Sequence, residues 1–180
     1  MAGQQLLTYA DLAAMPEDGL RRELLDGELL VSPSPRTRHQ EVSWRLSLAV
    51  GNHLEASGGG RAFAAPLDVI FDDHTVLEPD LLFIADERSE IITEKNIQGV
   101  PSLVIEILSE ARIDRVRKRD LYARFQVPEY WIVDPEADRI EVYRLGDGGY
   151  GKPEILEPGE VLSTPLLPGF EIDIAKLLRR

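Results

Sequence analysis

Two strongly apolar stretches of the sequence each carry carboxylates. VLEPDLLFIAD, residues 76–86, begins with Glu78 and Asp80, and PSLVIEILS, residues 101–109, has Glu106 near its middle. Short apolar runs of this kind are typical of buried strands. Because an unpaired buried charge is costly, a fold that buries both runs must give these carboxylates a partner.

The order of the other elements predicts a mixed α/β fold. Thr8, with a carboxylate three residues later, is typical of a helix start, and Asp26-Gly27 supplies the positive-φ positions of a tight hairpin turn. In chain order we predict a short helix from residue 8, a β-hairpin at 21–32, a helix at 39–57, a second hairpin formed by 66–73 and 76–86, a strand at 101–109, a helix at 110–126, strands at 128–135 and 139–145, and C-terminal edge strands before a terminal helix.

The two longer helices are predicted from their apolar periods. In the first, Trp44 and Leu48 are expected to widen a buried stripe whose other members are Val42, Leu46, Ala49, Val50 and Leu54. In the second, the expected apolar face consists of Ile113, Val116, Leu121 and Phe125.

Length and composition limit the class of protein. The 180 residues contain no repeat or low-complexity linker, so we expect a single domain over residues 1–180. The absence of cysteine excludes a disulfide framework and a thiolate zinc site. No apolar run approaches the roughly 20 residues of a membrane helix, and we expect a cytoplasmic protein. A net charge of -12 argues against binding a polyanion over the whole surface, so any contact with nucleic acid should be local.

Asp80 and Glu106 are the candidate metal ligands. If their strands are neighbours, the two carboxylates can enter one coordination sphere, and Mg²⁺ often takes only one or two protein carboxylates besides water and phosphate. Two alternatives remain open at this point. Asp80 could cap a turn beside Pro79, and Glu106 could form a buried ion pair with an arginine or a lysine.

Lys118 is the third candidate. Asp114, Lys118 and Tyr122 are spaced i, i+4 and i+8, and therefore project from one face of the predicted helix. Two acids and a lysine suit phosphodiester hydrolysis, in which a metal polarises the phosphate and the ammonium neutralises developing charge. Alternatively, Lys118 pairs with Asp114 on a solvated face, and Tyr122 packs or orients the lysine. Six cationic and two acidic side chains between residues 112 and 124 also predict a phosphate-facing strip.

Two further residues have weaker support. Glu23, in the first hairpin, could extend the acidic cluster as another metal ligand, but a surface position in the hairpin explains it nearly as well. His39, close to Arg36 and Arg38, is a candidate for a phosphate contact. Glu78 shares strand parity with Asp80 and has no assigned role.

These motifs together resemble one family. The proline–aspartate pair at 79–80, the glutamate of VIEILS, the D-x-x-x-K-x-x-x-Y pattern at 114–122, VPEYWIVDP and ELLDGEL are similar to the Uma-type family of restriction endonucleases, within the PD-(D/E)XK nuclease superfamily. The resemblance runs from about residue 8 to the C-terminus. It implies a restriction-endonuclease-like core, in which a central mixed sheet is flanked by helices.

The resemblance also implies an activity and its residues. Asp80 and Glu106 would bind Mg²⁺, with Mn²⁺ as a possible substitute, and with Lys118 would form the catalytic set of a DNA endonuclease. DNA would be the partner, and a homodimer is expected. One position departs from the superfamily, because Leu108 stands where Glu-x-Lys would place lysine, so Lys118 would have to act from the helix. The alternative is a catalytically inactive nucleic-acid-binding or assembly domain on the same fold.

Overall fold

The computed structural model describes residues 6–109 and 115–180. The α-helices are α1 Tyr9–Ala13, α2 Thr37–Ser57, α3 Arg115–Arg124 and α4 Ile174–Leu177, and a 3₁₀ helix spans Asp86–Ile91. The strands are β1 Arg21–Leu25, β2 Glu28–Ser32, β3 Gly60–Ala64, β4 Val69–Asp72, β5 Thr75–Leu77, β6 Leu81–Ala85, β7 Ile97–Gln98, β8 Leu103–Ile107, β9 Glu129–Asp134, β10 Arg139–Gly146, β11 Gly149–Tyr150, β12 Glu154–Leu156, β13 Val161–Ser163 and β14 Glu171–Asp173.

Two sheets form most of the fold. The larger has the order β11-β10-β9-β8-β6-β3, with β12 paired to β10, and the smaller has the order β2-β1-β5-β4-β7. In the larger sheet β8 is parallel to β9 but antiparallel to β6, so the sheet is mixed. The predicted mixed α/β fold with an N-terminal hairpin is confirmed, although the hairpin belongs to a second sheet rather than to the central one.

The N-terminal signals act locally as predicted. The Thr8 side chain accepts a hydrogen bond from the Asp11 backbone, and the Asp11 side chain accepts one from the Thr8 backbone, which forms a capping box. In the turn between β1 and β2, Asp26 and Gly27 have φ angles of 53° and 79°. Such a turn matches the twist of two antiparallel strands, and it sets the register that pairs Leu25 with Glu28.

The larger sheet separates two apolar clusters. One face packs against α2 and the C-terminal segment through side chains such as Val42, Leu46, Ile105 and Trp131. The opposite face packs against α3 and the hairpin, and its buried residues include Leu25, Val104, Leu121, Tyr122 and Ile132. Alternate residues of β8 therefore point to opposite clusters, as the strand period requires.

The predicted burial of three residues is wrong. Trp44 and Leu48 are 67% and 43% exposed, and Val116 is 56% exposed. In α2 the buried stripe is narrow and follows the spacing of His39, Val42, Leu46 and Val50. In α3 the buried face consists of Lys118, Leu121 and Tyr122, which leaves Val116 on the solvent side. The predicted position of Ile113 lies outside the described residues.

The second predicted hairpin also needs a correction. Residues 76–86 do not form one strand, because β5 pairs with β4 in the smaller sheet whereas β6 pairs with β3 and β8 in the larger one. The break falls at Pro79, which has no N–H to donate to a ladder, and the N–H of Glu78 donates to the Glu23 side chain instead. Asp80 consequently lies where the chain crosses from one sheet to the other.

Candidate active site

Sheet register places the two candidate ligands side by side. Leu81 pairs with Ile105 in the antiparallel β6–β8 ladder, so the residue before Leu81 and the residue after Ile105, Asp80 and Glu106, lie opposite each other. Side chains that lie opposite each other project from the same face of a sheet. Both residues are buried, with 4% and 8% exposure.

Each carboxylate has one oxygen fixed by the protein. Asp80 Oδ2 accepts a hydrogen bond from the Ile107 backbone at 2.7 Å and lies 3.2 Å from Nε2 of His39. Glu106 Oε1 accepts hydrogen bonds from Lys118 Nζ at 2.9 Å and from the Tyr122 hydroxyl at 2.7 Å. These bonds orient both side chains and leave the second oxygen of each available to another group.

The two second oxygens face a common cation, Arg21. Its Nη1 donates to Asp80 Oδ1 at 3.1 Å, and its Nη2 lies 3.8 Å from Glu106 Oε2. Nη2 also donates to the Glu78 carbonyl and lies 3.6 Å from Glu23 Oε1. The guanidinium therefore sits between the two candidate ligands.

Lys118 reaches the same cluster from α3. Its Nζ donates to Glu23 Oε1 at 2.8 Å and to Glu106 Oε1 at 2.9 Å. The alternative of a lysine on a solvated helix face is wrong, since Lys118 is only 8% exposed; its suggested partner Asp114 lies outside the described residues. Glu23 is 1% exposed and is not a surface acid.

Burial and mutual contact shift the pKa values of the cluster. Burial alone would raise the pKa of Asp80, but the hydrogen bond with His39 and the charge of Arg21 hold it below its ordinary value. Burial raises the pKa of Glu106, and the neighbouring Glu23 and Asp80 carboxylates add to the effect against the charge of Lys118. The pKa of Lys118 is raised despite burial, because Glu106 and Glu23 favour its charged form.

A cavity of about 180 Å³ opens onto the cluster, and its lining includes Arg21, Glu23, His39, Asp80, Glu106 and Lys118. A second cavity shares His39, Leu108 and Ser109 with it and is also lined by Arg36 and Arg38. The carboxylate oxygens are thus reachable from a concave surface, as the site of a bound ligand requires.

A scan against family models matches residues 9–175 to the Uma2 family, whose description reads "Putative restriction endonuclease". The chain belongs to the Uma2 family. The match covers the hairpin, both candidate ligands and α3, so the resemblance stated from the motifs is confirmed. No curated protein matches this Uma2 chain.

A solved structure shows the same fold. The crystal structure of "a putative nuclease belonging to DUF820" from Anabaena variabilis matches the Uma2 chain with a TM-score of 0.81 and 20% identity, over 96% of this chain and 97% of that one. At this identity the likeness establishes the fold. Among the helices described in this chain, none is long and apolar enough to span a membrane.

Among the residues around the candidate ligands, Arg21 was missed in the sequence and His39 was given a different role. Arg21 precedes Glu23 by two residues on β1, and this strand parity could have placed both on one face. His39 extends the buried spacing of Val42 and Leu46 by one turn toward the N-terminus of α2. The structure places His39 against Asp80, where the sequence had suggested a phosphate contact.

The predicted cationic strip is largely paired with acids. Arg115, Arg117, Arg119 and Arg124 make ion pairs with Glu141, Glu28, Asp120 and Asp26, respectively. Arg112 lies outside the described residues. Lys118 differs from these arginines because it points into the buried cluster.

The carboxylates fit a hard divalent cation. The described residues contain no group of three or more His, Asp or Glu side chains arranged to hold a metal, so a full protein cage is not present there. Asp80 Oδ1 and Glu106 Oε2 nevertheless face one positively charged group, while the other oxygen of each is fixed. Mg²⁺ is commonly bound by one or two carboxylates, with water and phosphate completing its shell, and hydrogen bonds to the ligands orient them.

Proposed function

We propose that this Uma2-family protein is a divalent-metal-dependent endonuclease that hydrolyses DNA phosphodiester bonds. Asp80 and Glu106 are the metal ligands, and Lys118 is a catalytic residue. One observation carries the proposal: each carboxylate has one oxygen fixed by the protein, and the two remaining oxygens converge on a single cation.

Mg²⁺ is the proposed cofactor, with Mn²⁺ as a substitute. A divalent cation held by Asp80 and Glu106 would polarise a phosphate oxygen and promote ionisation of a bound water. The low pKa of Asp80 keeps that ligand ionised at neutral pH. The cavity beside Asp80 and Glu106 leaves space for the water and phosphate that would complete the coordination shell.

Lys118 supplies the fixed positive charge of the site. Two hydrogen bonds, to Glu23 and Glu106, hold its ammonium beside the ligand pair. Preorganised charge of this kind stabilises the negative charge that develops on a phosphate during cleavage. Glu23 and Tyr122 are positioning residues, since Glu23 holds Lys118 and the Tyr122 hydroxyl donates to Glu106.

DNA is the proposed substrate because of the description of the Uma2 family. The net charge of -12 makes a broad electrostatic interface unfavourable, so the contact is concentrated at the two adjoining cavities. A homodimer and a cytoplasmic location remain predictions.

A plasmid-cleavage assay tests the proposal. We expect nicking or cutting with Mg²⁺ or Mn²⁺ and none with excess chelator, and we expect Asp80→Ala, Glu106→Ala and Lys118→Ala each to lower the rate by about 10²-fold or more. Glu129→Gln, which changes a buried strand acid outside the site, serves as the control. Metal-dependent cleavage that survives all three substitutions would show that the site is elsewhere.

The inactive nucleic-acid-binding domain remains the second candidate. It is favoured by Leu108 at the usual lysine position and by the guanidinium that already bridges the ligand pair. Wild-type protein that binds DNA and divalent metal but cleaves no DNA or RNA would support this second function.

A further inference from the structure

We infer that Arg21 and the divalent cation compete for the same two carboxylate oxygens, and that the displaced guanidinium becomes a phosphate-binding residue. This inference rests on the proposed function. It assigns to Arg21 two roles: competition with the metal for the ligand oxygens, and binding of phosphate once the metal is bound. It concerns a side chain that neither the family description nor the catalytic motif assigns.

The position of the guanidinium is the first step. Arg21 Nη1 bonds to Asp80 Oδ1, and Nη2 lies near Glu106 Oε2 at 3.8 Å. These are the two oxygens that the rest of the protein leaves open to a ligand. A cation bonded to both oxygens, at the roughly 2.1 Å typical of Mg²⁺, would lie within contact distance of Nη1. Arg21 must therefore leave Asp80 Oδ1 when a metal is bound.

The charge of the cluster favours this exchange. Three buried carboxylates, Glu23, Asp80 and Glu106, face two cations, Arg21 and Lys118. Among these five groups the carboxylates outnumber the cations by one. Replacement of Arg21 by a divalent ion balances their charges, because buried charges are stable only when they are compensated.

Arg21 is hydrogen-bonded to Asp80 and to the Glu78 carbonyl, but it lies at the edge of the cluster. It is the first residue of β1 and its side chain is 25% exposed, far more than its carboxylate partners. Its Nε lies 3.8 Å from Glu78 Oε2, which is beyond hydrogen-bond distance. Arg21 also lines the cavity above the ligand pair, so a small rotation keeps it beside any phosphate bound there.

A free guanidinium in that cavity suits a phosphate. Arginine presents a planar fork of donors that can bind two phosphate oxygens at once. Arg21 would thus oppose the metal in the empty site and hold the substrate phosphate in the loaded one.

The metal itself is the probe for the first half of the inference. Free Mn²⁺ is measured by electron paramagnetic resonance during titration of wild type, Arg21→Met, Arg21→Lys and Arg115→Met. We expect Arg21→Met to bind Mn²⁺ about tenfold more tightly than wild type, since a competing cation has been removed. Arg21→Lys keeps the charge but loses the fork, and we expect an intermediate affinity.

Arg115→Met is the matched control. Arg115 lines the same cavity but pairs with Glu141, so its loss reports the long-range effect of deleting one positive charge. Equal tightening in Arg21→Met and Arg115→Met, or no change in Arg21→Met, would overturn the inference and leave the proposed function intact. Failure of every variant to bind Mn²⁺ would overturn both. Circular dichroism verifies that each variant is folded.

The second half is tested with inorganic phosphate. Binding of phosphate to the Mn²⁺-loaded proteins is followed by paramagnetic relaxation of the ³¹P signal. We expect Arg21→Met to bind phosphate about tenfold or more weakly than wild type, because a charge-assisted contact is lost. Unchanged phosphate affinity would overturn the phosphate-binding role.

Discussion

The protein buries acids in two regions, and their surroundings differ. On β9 and β10, two buried carboxylates are paired with arginine: Glu129 with Arg144 on one face of the sheet, and Glu141 with Arg115 and Arg139 on the other. In the candidate site three buried carboxylates meet only two cations. The buried acids of the first region are outnumbered by arginines, whereas in the second the buried carboxylates outnumber Arg21 and Lys118.

The source of the partners differs as well. Most partners of Glu129 and Glu141 lie on β9 and β10, since Glu129 accepts hydrogen bonds from Trp131 and Arg144 and Glu141 accepts one from Tyr143, while Arg115 reaches Glu141 from α3. In the site, Arg21 and His39 reach Asp80 across 59 and 41 residues of sequence. A buried acid in a strand is therefore no sign of function on its own. The signs are an unbalanced charge, a cavity and partners gathered from separate elements.

The largest expected effect is a difference in the free energy of unfolding when one buried cation is removed from each region. Lys118→Met leaves Glu23 and Glu106 without their buried cation, and we expect a loss of about 3–5 kcal/mol in the free energy of unfolding. Arg144→Met, the matched variant, removes the cation of the buried Glu129, which keeps its hydrogen bond from Trp131, and we expect a smaller loss of about 1–3 kcal/mol. Urea denaturation at pH 8 measures both, and similar losses would contradict the distinction.

The next effect concerns the orientation of Glu106. Tyr122→Phe removes one of the two hydrogen bonds to Glu106 Oε1, and we expect a loss of about 1–2 kcal/mol in stability together with slower metal-dependent cleavage. Tyr143→Phe removes the corresponding hydroxyl from Glu141 and should leave the cleavage rate unchanged. If Tyr143→Phe slowed cleavage and Tyr122→Phe did not, the functional acid would be Glu141 rather than Glu106.

A pH-dependent effect is expected at the edge of the site. Burial raises the pKa of Glu78 from 4.5 to about 7, although Arg21 opposes the shift. Because the folded state binds this proton more tightly than the unfolded state, the contribution of Glu78 to stability is fully present below pH 4.5 and is lost as the pH rises through about 7. Relative to Glu78→Gln, metal-free wild type should therefore lose stability between pH 4.5 and about 7. If the urea midpoints of wild type and Glu78→Gln differ by the same amount throughout this pH range, the raised pKa of Glu78 is refuted.

The smallest effect is expected at an exposed pair. Arg124 and Asp26 are 51% and 54% exposed, and we expect Arg124→Ala to change the unfolding free energy by less than about 1 kcal/mol. The cleavage rate should not change, because neither side chain lines the cavity. A large loss of activity in this variant would place functional groups outside the buried cluster.

The sequence predicts part of this arrangement. Asp80 and Glu106 stand out because each is a carboxylate in an apolar run of sequence, and the spacing of Lys118 and Tyr122 places both on one helix face. Glu129 and Glu141 are also buried acids in strands, and the local pattern alone does not separate Glu129 from the site acids. The distinction depends on which strands become neighbours.

The remaining differences have the same origin. Arg21 and His39 join the site only after the smaller sheet and α2 have packed around β6. At the break beside Pro79, the Glu78 N–H donates to the Glu23 side chain, a contact between residues far apart in the sequence. Trp44 is exposed because only a narrow stripe of α2 contacts the sheet.

A crystal of the protein soaked in Mn²⁺ tests the central claim most directly, since anomalous scattering locates the ion without a model of the site. We expect one strong peak bonded to Asp80 Oδ1 and Glu106 Oε2, with the Lys118 ammonium nearby and the Arg21 guanidinium moved into the cavity. Mn²⁺ bound elsewhere, with Arg21 still bonded to Asp80, would contradict the account.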